Sequence, residues 1–302
     1  MGRCAQGGVG KLRHAELREL GLLYRQTASD LATVREDVSG RNMAEYLNQL
    51  LGRAHNLVYT GRKRTARGIL HFYAHTYPQE FRETFPYTLA AFTLFAAAAV
   101  VGFLVTLADP AFSRHFLGPQ MTDTIERRQM WTHSILAMQP VAASGIMTNN
   151  LSVSFAAFAM GITAGLGTAW MMLLNGLLFG VINAACWQAG MADQLWGFVA
   201  PHGVLELPAI FLAGGAGLML ARGMLFPGLL RRRDALARAG AKAVRLMLGT
   251  IPLLVIAGLI EGFFSPLRIP IFTKFLFATA LGGLLVAYLG FASRVPPSAS
   301  KT

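Results

Sequence analysis

Charge is what this 302-residue sequence has least of: Asp, Glu, Lys and Arg make up 14% of it, against 54% hydrophobic residues and a mean hydropathy of +0.45. A soluble domain carries about a quarter charged residues, so an ordinary soluble enzyme is excluded, and the apolar content excludes disorder. Cysteine is nearly absent. Cys4 and Cys186 lie far apart and make neither a disulfide framework nor, alone, a zinc site. Catalytic motifs are missing as well: there is no GxxxxGKS/T, HExxH, GxSxG or CxxC. Intramembrane proteolysis needs more acidic and histidine positions than the apolar segments hold. No enzymatic activity, catalytic residue, cofactor or metal is therefore expected. The first 30 positions lack a short apolar core ending in small residues, so no secretory signal peptide is expected either.

What the sequence has is long apolar runs. A helix needs about 20 residues to cross roughly 30 Å of hydrocarbon. Residues 87–108, 151–168, 170–189, 200–222, 244–262 and 270–292 meet that need, which predicts an all-α polytopic membrane protein with about six transmembrane helices. The block 151–190 is twice too long for one span and must fold back, with Gly165-Leu166-Gly167 as the turn. Residues 109–150 form an external loop of balanced charge. Its run from Trp131 to Met147, broken by Pro140 and Gly145, reads as an interfacial or partly re-entrant helix.

Residues 1–86 differ from the rest, with 13 of the 27 basic residues and 8 of the 15 acidic ones. They read as a cytoplasmic or interfacial helical region. Apolar spacing predicts amphipathic helices over about 12–37 and 42–59. A third, about 67–84, carries Phe72, Tyr73, Tyr77 and Phe81, suited to the membrane interface. The domain order is thus 1–86, a transmembrane domain 87–292 and a tail 293–302.

The net charge of +12 is topological. With both termini inside, 22 of 27 basic residues are cytoplasmic, including the loop 222–245 with Arg231, Arg232 and Arg233. The inverted arrangement breaks the positive-inside rule. Arg62, Lys63, Arg64 and the Arg231–Arg233 run are expected to meet anionic lipid headgroups rather than nucleic acid.

An ionisable group in the membrane costs about 2.5–3.5 kcal/mol on insertion scales and so needs a reason. His202 and Glu206 stand one helical turn apart in PHGVLELP. The pair fits a proton relay, metal ligation, a cation site, or a polar pair near the outer interface holding a helix interrupted between Pro201 and Pro208. Two ligands from one helix are too few for zinc; His133 and Glu261 are candidates to add to them, but the sequence does not bring them near. Asn149 and Asn150 sit where the second span is expected to start, as a cap or turn, and Glu261 ends the fifth span near the outer interface. Asn175 and Asn183 read as amides bonding across helices. Gly161-xxx-Gly165 and Gly176-xxx-Gly180 match the small-xxx-small pattern for close helix packing, and such faces also suit a homodimer.

Together these features resemble the stage II sporulation protein M family, over about residues 14–292. The resemblance is carried by Tyr46–Tyr59, Thr148–Thr168, Leu174–Gly180, His202–Gly228 and Pro252–Pro266, and its motif positions here are His202, Gly203, Glu206, Pro208, Asn149, Asn150, Glu261 and Gly262. The resemblance implies a multi-pass protein of the bacterial inner membrane. In spore formers it implies a scaffold working with two peptidoglycan-degrading partners. Elsewhere it implies partnership with a MoxR-type ATPase and von Willebrand A-like proteins. It carries over no catalytic residue. The expected function is a non-enzymatic scaffold for envelope or cell-wall-remodelling partners; the alternative is a channel or transporter with a polar site of His202, Glu206, Asn149, Asn150 and Glu261.

Overall fold

The computed structural model describes residues 13–35, 41–59, 66–130 and 139–292, and every regular element among them is helical. The chain divides into two compact units, Met1–Leu70 and His71–Thr302. In the first unit, α1 (His14–Arg35) packs on α2 (Arg41–Tyr59). Leu31 and Ala54 are buried there, while Leu22, Leu23, Met43 and Tyr46 are more than half exposed. Both helices are amphipathic by sequence, and a two-helix unit has room to bury only a narrow stripe of apolar side chains. Arg62, Lys63 and Arg64 lie outside the described residues.

Helix α3 (Ala66–His71) falls almost wholly in the first unit, and the second opens with a π turn (Phe72–Thr76) that runs into α4 (Tyr77–Ala108). The helix is unbroken at residue 86, where the sequence suggests a domain boundary. Two short helices follow, α5 (Ala111–Leu117) and α6 (Pro119–Glu126). Then come α7 (Gln139–Ala159), α8 (Leu166–Gln188), α9 (Ala192–Leu225), α10 (Arg232–Leu259), a second π turn (Ile260–Phe264) and α11 (Ile271–Phe291).

Glycine contacts set the helix directions. Gly176 lies on the backbone of Phe95 and Gly180 on that of Ala99, so α4 and α8 run parallel. Gly215 meets Thr88 and Gly214 meets Ala91 and Met172, so α9 runs against both. Gly217 meets Ala157 and Gly165 meets Ala221, so α7 descends beside α9. Gly223 packs on Ala235 and Ala239, which turns α10 back, and Ile271 beside Gly197 with Arg82 on Leu289 aligns α11 with α9. The chain therefore traverses the bundle on α4, α7, α8, α9, α10 and α11 in alternating directions.

Five stretches among the described residues are long and apolar enough to cross a membrane: Gly68–Ala108, Leu166–Gln188, Ala192–Leu225, Arg232–Phe264 and Ile271–Phe291. The expected span 151–168 is not among these five, although the chain does make that passage. That passage is made by α7, which starts at Gln139 and takes in part of the expected loop helix; Thr148, Asn149, Asn150, Ser152 and Ser154 dilute its apolarity. Its sharp reversal falls at Thr163–Gly165, with Gly165 at φ +82°, where a side chain would be strained. Val100, Leu104, Phe272, Leu276, Leu284 and Val286 are exposed on the surface of the unit. Apolar exposure on that scale requires lipid around it. The protein is an all-α polytopic membrane protein.

The two ends of the bundle differ in charge. One end carries Arg231, Arg232 and Arg233 at the start of α10, all exposed, with Arg245 bonded to Glu80 at 2.6 Å and Lys242 to Glu83 at 2.7 Å. Arg82 donates to the carbonyls of Leu289 and Ala292 at 3.0 and 2.9 Å, satisfying acceptors that the end of α11 leaves open. We call this the basic end.

Candidate functional site

His202 and Glu206 sit about 15 and 21 Å along α9 from Ala192, on the side away from the basic end. Their spacing puts both on one helix face. The π turn after α10 brings Glu261 to the same face. Its wide turn, closed by Ser265 N–H on the Ile260 carbonyl at 2.8 Å, shifts the facing of residues 260–264 from that of a plain helix. His202 Nε2 stands 3.9 Å from Glu206 Oε2 and 4.0 Å from Glu261 Oε1, beyond hydrogen-bond range in both cases. One ligand atom from each of the three lies within 4.8 Å of the others.

The cluster is buried. The side chain of His202 is 6% exposed, Glu206 17% and Glu261 13%; Glu261 Oε2 is enclosed without a hydrogen-bond partner. The other imidazole nitrogen, Nδ1, meets Ser265 Oγ at 3.0 Å, and the Ser265 carbonyl accepts from Lys274 Nζ at 2.6 Å. Phe198 stacks edge-on against the imidazole ring at 5.4 Å. The ring is thus held on one side by packing and on the other by a hydroxyl. Beside the cluster opens a recess of about 210 Å³, lined also by Asn150 from α7 and Asn183 from α8.

Of the residues that the sequence singles out, His202, Glu206, Glu261 and Asn150 come together, whereas Asn149 is exposed and does not line the recess. Asn149 donates to Asn150 Oδ1 at 3.5 Å, and both lie in the middle of α7, so neither caps a helix start. Asn175 and Asn183 each donate to a carbonyl one turn back in α8, at 2.8 Å, instead of crossing to another helix. Glu261 is enclosed rather than exposed at an interface. Helix α9 runs unbroken from Ala192 to Leu225 through Pro201 and Pro208, so it is not the interrupted helix suggested by those prolines. His133 lies outside the described residues. Ser265 and Lys274 escaped sequence reading, because nothing in a Ser-Pro turn or a lone lysine signals what each will hold.

Between the recess and the basic end the helices close up. A Cβ on Gly217 would fall on Thr168 and Ala157, one on Gly215 on Thr88, and one on Gly249 into the ring of Tyr77, which is fully buried. The packing glycines behave likewise: Gly161 lies on the backbone of Gly217, Gly176 and Gly180 on that of α4, and Gly165 beside Ala221.

Known proteins place the chain. No solved structure matches it significantly. Residues 4–60 match a domain of unknown function. An uncharacterized protein of Methanocaldococcus jannaschii is 31% identical over 123 residues, which are 40% of this chain and 69% of that protein. Residues 91–266, more than half the chain and the whole of the recess, match the model of stage II sporulation protein M. The chain belongs to the stage II sporulation protein M family.

Proposed function

We propose that the protein is a non-enzymatic scaffold of the bacterial cytoplasmic membrane that holds envelope or cell-wall-remodelling partners. The reading rests on one observation: the chain builds a separate helical unit, Met1–Leu70, whose Leu22, Leu23, Met43 and Tyr46 remain uncovered. Uncovered apolar side chains on a small unit suit docking, either to a partner or to the headgroup layer. By the positive-inside rule the basic end is cytoplasmic, and the passes made by the described helices α4 and α7 to α11, which begin and end there, support the reading of both termini on that side. Arg231, Arg232 and Arg233 then stand at the anionic leaflet. The partners proposed are cell-wall hydrolases or a MoxR-type ATPase system, and a second copy of the chain; Gly161, Gly165, Gly176 and Gly180 are occupied within the bundle and do not form the seam of that dimer.

A second reading, a channel or transporter around His202 and Glu206, has the convergence at the recess in its favour. Close packing from Gly215 to Gly249 and the unbroken α9 weigh against it.

Native purification in mild detergent, with mass spectrometry of what co-elutes, tests the scaffold. Stoichiometric partners are expected, and their recovery should fall in a Leu22→Glu, Leu23→Glu variant that still reaches the membrane. A clean homo-oligomer without partners, together with ion flux in liposomes that Glu206→Gln abolishes, would overturn it in favour of the conduit.

A further inference from the structure

The geometry points to a divalent transition-metal site formed by His202 Nε2, Glu206 and Glu261. Three observations carry it. First, the three ligand atoms lie within 4.8 Å of one another, yet the imidazole–carboxylate distances of 3.9 and 4.0 Å are too long for hydrogen bonds. An ion between donors at about 2.0–2.2 Å from each would bridge separations of this size after a small contraction. Second, two carboxylates are enclosed together, one with an unpartnered oxygen, and no lysine or arginine among the described residues pairs with either. Lys274 donates its hydrogen bond to the Ser265 carbonyl instead. Enclosed carboxylates without a counter-charge either stay ionised at a high cost or take up protons. One dication neutralises both.

Third, the imidazole is already oriented as metal-binding histidines are. Nδ1 is engaged with Ser265 Oγ at 3.0 Å; with Nδ1–H as the donor, the lone pair of Nε2 faces the carboxylates. The side chain is 6% exposed and its edge contact with Phe198 blocks rotation. The recess of about 210 Å³ beside the ligands leaves room for water or an added donor, with Asn150 on its wall. One nitrogen and two carboxylate ligands select a first-row divalent ion such as zinc, manganese or cobalt. Calcium, which takes six to eight oxygens, fits poorly. The inference does not depend on which partners the chain holds.

The test uses the full chain in mild detergent, stripped with chelator and titrated with Zn²⁺ by calorimetry, with Co²⁺ as a spectroscopic probe. Wild type is expected to bind about one Zn²⁺ per chain and to give visible Co²⁺ absorption of a nitrogen–oxygen site. Glu206→Gln and Glu261→Gln keep the shape of the side chain, and each should weaken Zn²⁺ binding by at least about tenfold. His202→Gln should remove the nitrogen signature from the Co²⁺ spectrum. Should a variant not fold, the stoichiometry and spectrum of wild type decide the matter alone. Folded wild type that binds no Zn²⁺, or a Glu206→Gln, Glu261→Gln double variant that binds it as tightly as wild type, overturns the site.

Discussion

The half of the bundle nearer the basic end and the half holding the recess are built on opposite rules. Near the basic end, charges are paired and helices touch: Arg245 bonds Glu80, Arg82 closes α11, and Gly215, Gly217 and Gly249 admit neighbours that no side chain would allow. In the other half, two carboxylates and an imidazole face one another unbonded across an open space. In lipid, helices gain little from burying apolar surface and associate by close packing instead. A cavity lined with unpaired carboxylates forgoes that gain and adds the cost of desolvation. The contrast separates a half built for cohesion from a half whose cost needs a ligand or a function to offset it.

The largest effect should come from forcing a side chain into the cohesive half. Gly217→Val sets a branched side chain on Thr168 and the carbonyl of Ala157 and should cost about 3 kcal/mol or more. Loss of monodisperse protein, or a steep fall in thermal midpoint in detergent, is the measurement; an unchanged midpoint would mean that α9 does not meet α7 and α8 there. Next is the open half. At a Zn²⁺ concentration about 100 times its Kd, wild type should gain about 2.7 kcal/mol and Glu206→Gln should gain much less. In chelator the order reverses, because the glutamine removes an uncompensated buried carboxylate, and Glu206→Gln should unfold at or above the wild-type midpoint.

Smaller effects grade the charge pairs of the basic end by their exposure. Glu80→Ala strips Arg245 of its partner at a site where the carboxylate is 11% and the guanidinium 39% exposed, so a loss of about 1–2 kcal/mol is expected. A double-mutant cycle with Arg245→Met should recover most of it. Lys242→Ala breaks a pair that is 43% and 61% exposed and should shift stability by no more than about 0.5 kcal/mol. Equal losses in both pairs would show that burial does not set their strength.

Apolar length made the helical bundle legible, and helix periodicity alone put His202 and Glu206 on one face. The reversal near Gly165 was also readable, since an overlong apolar block has to turn and glycine adopts φ +82° at no cost. The start of α7 at Gln139 was not readable, because its polar residues interrupt the apolar run by which spans are recognised. Nor was the meeting of Glu261 with His202: the two are separated by a whole traversal, and the π turn that aims Glu261 leaves no trace in hydropathy. Asn175 and Asn183 illustrate the same limit, since an amide bonds its own helix or its neighbour according to which carbonyl packing leaves free.

By itself, then, the sequence determined that this chain lives in a membrane as packed helices, which end is basic, and which residues are too polar for their surroundings. Those properties follow from transfer energies and local spacing, which each residue carries with it. Tertiary structure alone decided that His202, Glu206, Glu261 and Ser265 would meet, and that Asn149 would not. Such meetings depend on the rotation and register of helices far apart in the chain, fixed by glycine contacts that no single segment specifies.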